Sequence, residues 1–315
     1  MTDLPTPAHP LRIGTRASPL ALAQANMAAA ALIAAHGLDP AALRIVPMTA
    51  TGDRIQDRAL AEVGGKALWT RELDAALDAG AIDIAVHSLK DVETIRDPRF
   101  ALAAMLERAD PRDRLVVRGD WTATSLADLP QGTRLGTSSP RRAAQVRRRR
   151  PDIVATLLRG NVATRLGKVA QGAVDATLLA AAGLDRLGMY DVGTSLDAAT
   201  LLPAASQGAI GIECRADDSA TRALVAAVDH DATHLAVAAE RAFLAALGGD
   251  CRSPVAAHAC WLADGGLRLD AEIFSADGAE HAAGHVLVTD GSEAAALAHR
   301  LLGAARESVR RLFAA

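Results

Sequence analysis

The residues suited to chemistry fall in separate groups. The string His87-Ser88-Leu89-Lys90-Asp91 follows an apolar run, 82–86, that reads as a strand. Its lysine and carboxylate therefore fall at the carboxyl end of that strand, where a carboxylate beside a cation suits general acid–base work. An ordinary surface ion pair is the other reading. Between Arg134 and Lys168 the chain carries ten basic side chains against one acid, Asp152, and all but one of the ten are arginine. A guanidinium binds carboxylate or phosphate through two parallel hydrogen bonds. Arg141, Arg142, Arg159 and Arg165 fall at predicted strand-to-helix junctions, where an anion site is expected, whereas 147–150 read as a solvated helix face. Cys251 stands in a Gly248-Gly249-Asp250 turn, directly before Arg252. A turn thiol beside a guanidinium can ionise and act as a nucleophile. Cys260, in an apolar run beside Trp261, reads as structural.

These groups need a scaffold, and the chain supplies it by repeating itself. Leu11-Arg12-Ile13-Gly14-Thr15 leads to Ser18-Pro19 and Ala23-Gln24. Thr133-Arg134-Leu135-Gly136-Thr137 leads to Ser139-Pro140 and Ala144-Gln145. Each reads as a strand, a tight turn and a helix that Ser caps and Pro opens. Each is followed by an echo, Gly80-Ala81-Ile82-Asp83 and Gly172-Ala173-Val174-Asp175, that runs into another apolar stretch. Strands alternating with helices predict an α/β fold, with a mostly parallel sheet in each of two lobes. In such sheets ligands bind beyond the carboxyl ends of the strands, at helix N-termini, and two such lobes suit a small anionic ligand. The last part changes pattern. A helix is predicted over 231–247, strands over 255–262, 267–274 and 285–288, and a final helix capped by Ser292 and running to 313. This is a small α+β C-terminal domain. The polar, glycine-bearing stretch 49–66 reads as a loop that can act as a lid.

Composition narrows the function classes. A length of 315 residues, half of them hydrophobic, gives two to three domains with a sizeable core. A net charge of −3 predicts no polyanion partner, and 3% aromatics argue against base stacking. Cys214, Cys251 and Cys260 are odd in number and form no CxxC, so they are neither a disulfide framework nor a zinc set, and they point to a reducing compartment. The N-terminus lacks a signal-peptide pattern. The uncharged stretch 17–38 reads as an Ala-rich buried helix rather than a membrane span. The expectation is a cytoplasmic monomer with no nucleic-acid, membrane or metal partner. From the residues alone, a bilobal binding protein for a small carboxylate ligand and a nucleic-acid binder using 147–150 remain alternatives.

The ordered set of strings resembles the porphobilinogen deaminase (hydroxymethylbilane synthase) family. Its members are Gly14-Thr15-Arg16-Ala17-Ser18-Pro19-Leu20-Ala21, Val63-Gly64-Gly65-Lys66, Ala85-Val86-His87-Ser88-Leu89-Lys90-Asp91, Asp110-Pro111-Arg112-Asp113, Gly136-Thr137-Ser138-Ser139-Pro140-Arg141-Arg142, Leu158-Arg159-Gly160-Asn161-Val162, Gln207-Gly208-Ala209-Ile210-Gly211-Ile212-Glu213, Ala239-Glu240-Arg241 and the Cys251 turn. The resemblance implies a transferase that joins four porphobilinogen units head to tail, releases ammonia and frees hydroxymethylbilane. It implies a dipyrromethane cofactor held by a thioether to Cys251 and a catalytic Asp91. It implies that Arg16, Ser18, Lys90, Ser139, Arg141, Arg142, Arg159, Arg165 and Arg186 bind acetate and propionate side chains. It also implies lobes like those of periplasmic binding proteins, with domains over 1–107 plus about 205–228, 108–204 and 229–315. Asp250 departs from the glycine expected before the cysteine, and Trp69 stands where an aromatic either stacks on a pyrrole or packs in the core.

Overall fold

The computed structural model describes residues 4–49, 69–250 and 252–313. The thiol of Cys251 and nearly all of the proposed lid therefore lie outside the described residues. In chain order the strands are β1 (Leu11–Arg16), β2 (Leu43–Met48), β3 (Ile84–Ser88), β4 (Phe100–Met105), β5 (Asp113–Val117), β6 (Arg134–Gly136), β7 (Val154–Thr156), β8 (Ala176–Ala180), β9 (Thr194–Ser195), β10 (Ile210–Arg215), β11 (Val255–Trp261), β12 (Leu267–Phe274) and β13 (His281–Val288).

The first sheet has the order β2-β1-β3-β10-β4 and the second β7-β6-β8-β5-β9. In each, three parallel neighbours are followed by one antiparallel strand and then an edge strand. The antiparallel strand of each sheet comes from elsewhere in the sequence, β10 from far downstream and β5 from upstream.

The internal repeat has a physical basis at two pairs of residues. Arg12 donates its backbone N–H (2.7 Å), Nε (3.0 Å) and Nη2 (2.6 Å) to Asp83. Arg134 does the same to Asp175 at 2.9, 3.1 and 2.8 Å. Each pair ties the start of one parallel strand to the start of its neighbour. The glycines mark close approaches. A Cβ on Gly14 would lie 2.2 Å from Ile82 Cδ1, and one on Gly136 would lie 2.6 Å from Leu158 Cδ2.

Ser18 accepts a hydrogen bond from the Ala21 amide and caps the helix Pro19–His36, which ends at Gly37 with φ 63°. By length and composition this helix is apolar enough to cross a membrane. Here Ala25, Ala28, Ala29 and Leu32 bury against the first sheet, where alanines let helix and strands come close. Ser139 caps the helix Pro140–Arg149 by accepting from the Arg142 amide, as predicted.

The chain forms two compact units, with breaks at Ala109/Asp110, Gly208/Ala209 and His234/Leu235. One holds the first sheet. The other holds the second sheet together with the C-terminal part, an antiparallel sheet β11-β12-β13 backed by the helix Ser292–Ala304 and by the helix Asp231–Ala246 from Leu235 onward.

The structure differs from the sequence reading at three places here. β13 begins at His281 rather than 285, because full-length pairing with β12 overrides a weak strand propensity. The last helix is capped by Gly291, not Ser292, and stops at Ala304. The extended Ala305 breaks it, and Val309 and Phe313 then enter the C-terminal core. The arginines of 147–150 are not a bare solvated face. Arg150 donates to the carbonyls of Leu126 (2.6 Å) and Leu129 (2.9 Å), Arg149 to that of Ala199 (3.3 Å), and Arg148 lies 2.6 Å from His281. Their long stems reach loop carbonyls and the C-terminal sheet.

Candidate active site

In the first unit, β1 and β3 end side by side and deliver Arg16, His87 and Ser88 to one place. The 3₁₀ turn Leu89–Asp91 follows β3 directly. Its position is set by β10. The Leu89 amide donates to the Ala209 carbonyl at 3.2 Å. The fully buried Leu89 side chain fills the space above Gly211, where a Cβ would lie 2.3 Å from Leu89 Cδ2. Asp91 is thereby held with Oδ2 3.8 Å from Arg16 Nη1. The Arg16 guanidinium lies 4.1 Å over the Trp69 ring. A pocket opens among these groups, lined by Arg16, Ser18, Gln24, Trp69, Thr70, His87, Ser88 and Asp91. Gln24 and Ser88 face each other across its wall, the amide donating at 2.8 Å and the hydroxyl at 3.0 Å. Lys90 is half-buried in the same turn.

Behind the pocket, His87 Nε2 lies 3.0 Å from the fully buried Glu213. Burial works to raise the Glu213 carboxyl pKa, but the adjacent His87 and the bonded guanidinium of Arg96 outweigh it and hold it down to about 2.

In the second unit, Arg141 and Arg142 occupy the first turn of Pro140–Arg149, and both are buried. They converge on Asp113 at 2.7 and 2.6 Å, and Gln207 Nε2 donates to the same carboxylate at 2.8 Å. Burial opposes ionisation of Asp113, yet the two guanidiniums keep it well below the usual carboxylate range. Burial also pushes the Arg141 guanidinium down, and its Nε is buried without a partner. Arg159 is buried just after β7, before Asn161 caps the next helix. Arg165 reaches back to the Gly160 carbonyl (2.9 Å) and to Ser138 Oγ (3.3 Å). Arg186 donates to the Gly208 carbonyl at 2.6 Å, its Nε is buried without a partner, and burial brings its pKa down to about 10.

The pocket brings Arg16, Ser18 and Asp91 together in one unit, with Lys90 in the adjoining turn; Ser139, Arg141, Arg142, Arg159, Arg165 and Arg186 all fall in the other unit. Beside Cys251, Asp250 accepts the Arg252 backbone N–H at 2.8 Å and its Nε at 2.7 Å, so this acid holds the neighbouring guanidinium. The sequence reading assigned no role to Gln24, Arg96 or Glu213. A legible signal existed for Glu213, an acid placed on the buried strand Ile-Gly-Ile-Glu-Cys, since a buried carboxylate needs partners.

The family model for the porphobilinogen deaminase dipyromethane cofactor binding domain matches residues 11–223, and that for the porphobilinogen deaminase C-terminal domain matches 234–305. The chain belongs to the porphobilinogen deaminase family. A porphobilinogen deaminase of Sphingopyxis alaskensis is 76% identical over 314 residues, covering 100% of both chains. One of Paracoccus denitrificans is 49% identical over 281 residues, covering 89% of this chain and 88% of its own. Among solved structures, the periplasmic VFT2 domain of Bordetella pertussis BvgS is 15% identical, with a TM-score of 0.41, over 69% of this chain and 86% of that one. As a porphobilinogen deaminase, the chain is a transferase of tetrapyrrole biosynthesis that works with a dipyrromethane cofactor. The residues present fit such a group: the buried Nε atoms of Arg141 and Arg186 are donors without acceptors, and a pyrrole's carboxylates are acceptors of the matching charge.

Proposed function

We propose that this chain condenses four porphobilinogen molecules into hydroxymethylbilane, with Asp91 as the catalytic carboxylate. The observation that carries the reading is the Asp91 carboxylate, fixed at a strand end in a pocket that also holds Arg16, Ser18 and Trp69. When porphobilinogen loses ammonia, the breaking C–N bond leaves positive charge on the pyrrole. Asp91 stabilises that charge, delivers a proton toward the leaving nitrogen and takes one back when the new C–C bond is complete. Arg16, Ser18 and Lys90 in one unit, with Ser139, Arg141, Arg142, Arg159, Arg165 and Arg186 in the other, hold acetate and propionate groups. Arg141 and Arg142 share the single counter-charge of Asp113, so the group keeps a net positive charge for an arriving carboxylate. Arg186, whose pKa burial draws down only to about 10, stays cationic at neutral pH and can pair with an arriving carboxylate.

The dipyrromethane, when bound, supplies the pyrrole carbon to which each new unit is joined. We assign its thioether anchor to Cys251, the turn cysteine; Cys214 is buried in the first sheet, and burial pushes its thiol up to about 11. We further propose three working domains, 1–107 with about 205–228, 108–204 and 229–315, and a cytoplasmic monomer. The cysteine usage supports a reducing compartment.

Purified protein given porphobilinogen is expected to release ammonia and a linear tetrapyrrole in a ratio of four to one. Porphobilinogen bound without ammonia release would instead support a carboxylate-binding protein.

A further inference from the structure

We propose that Arg96 is a positioning residue for the reaction, holding the Asp91 turn in place through Glu93. The proposal rests on the reading of Asp91 as the catalytic carboxylate. Arg96 is one guanidinium shared by carboxylates from three separate elements. It meets Asp74 of the helix Arg71–Asp78 at 2.6 Å, Glu93 at 2.6 Å and Glu213 of β10 at 2.7 Å. Glu93 follows Asp91 by two residues and accepts a second hydrogen bond, from Thr70 Oγ1 at 3.0 Å.

Thr70 is fully buried and directly follows Trp69, whose ring carries the Arg16 guanidinium. Arg16 in turn faces Asp91. The contacts therefore form a closed ring that leaves Asp91 through Arg16, passes Trp69 and Thr70, and returns through Glu93. Arg96 ties that ring to the strand on which Leu89 is seated.

Stability alone does not account for this arrangement. One fully buried carboxylate, two half-buried ones and a largely buried guanidinium carry a desolvation cost, and apolar side chains of the same volume would pack against the sheet as well. What the charges add is direction: a guanidinium fixes the angle at which each carboxylate sits. A catalytic group displaced by roughly 1 Å can lose about a hundredfold in rate.

The test compares Glu93→Gln and Arg96→Lys with wild type, in kcat and KM for ammonia release and in melting temperature. Glu93→Gln keeps the size of the side chain and removes its charged bond to Arg96. Arg96→Lys keeps one charge but cannot span three carboxylates. Both are expected to lower kcat about tenfold with KM within about twofold. Asp83→Asn, at the opposite end of the same sheet, serves as the stability control and is expected to lower the melting temperature with kcat unchanged. If Glu93→Gln and Arg96→Lys both keep wild-type kcat while Asp91→Asn is inactive, the positioning role is wrong and the catalytic reading stands. An effect on KM alone would also overturn it. If wild type releases no ammonia, the underlying reading fails instead.

Discussion

The Asp91→Asn protein is expected to fold normally and to release ammonia from porphobilinogen at least about a hundredfold more slowly than wild type. Asparagine matches aspartate in size, and the turn that carries it is set by Leu89 on Gly211 and by the Ala209 carbonyl, not by the carboxylate. The fold therefore has no reason to change. The chemistry does, because the amide can neither accept a proton nor offset the positive charge on the pyrrole as ammonia leaves. Arg16, 3.8 Å away, would then lose the Asp91 charge that offsets it and add repulsion beside the developing charge. Porphobilinogen binding should weaken much less, since its carboxylates are held elsewhere. Steady-state ammonia release, with circular dichroism to confirm folding, checks both parts. A rate within tenfold of wild type would remove Asp91 from the catalytic role.

Asp113→Ala has the largest expected effect on stability. Asp113 is fully buried and is the shared acceptor of Arg141, Arg142 and Gln207. Removing it leaves two buried guanidiniums without their directly paired counter-charge, only the more distant Glu272 acting on Arg141. Breaking a buried pair in this way costs about 3–5 kcal/mol. For a unit of this size that corresponds to a fall of roughly 10 °C in melting temperature. The cause can be separated from simple cavity formation. If uncompensated charge is responsible, adding Arg141→Met and Arg142→Met to Asp113→Leu should recover much of the loss in thermal unfolding, because it replaces the whole ionic group by apolar side chains. A fall of under about 2 °C for Asp113→Ala would show that Arg141 and Arg142 find water or other acceptors instead.

How much of this was legible depended on how local each constraint was. The two lobes could be read because the constraints that build them repeat within short strings: a glycine where Ile82 or Leu158 crowds the strand, a Ser-Pro helix start, and an aspartate closing the strand pair with Arg12 or Arg134. The insertion of β5 and β10 between strands of the same sheet was not written in periodicity, since it depends on pairings across long sequence separations. The same holds for the site. Asp91 could be placed at a strand end from its neighbours alone, and the arginine-rich segment marked itself. That Arg141 and Arg142 would converge on Asp113 depended on an antiparallel strand from upstream joining the sheet. The Arg96 cluster was equally hidden, because Asp74, Glu93 and Glu213 meet only once β10 has returned to the first sheet. The role of Cys251 rests on resemblance, since a turn thiol beside Arg252 is only suggestive chemistry, and Asp250 already binds that guanidinium.

The most direct test of the central claim is the intact mass of the denatured protein after incubation with porphobilinogen, read beside that of a Cys251→Ser variant. The account predicts that the native chain exceeds its sequence mass by two pyrrole units that survive denaturation, and that the variant carries none. A native chain at its bare sequence mass, or an excess that persists in Cys251→Ser, would contradict it.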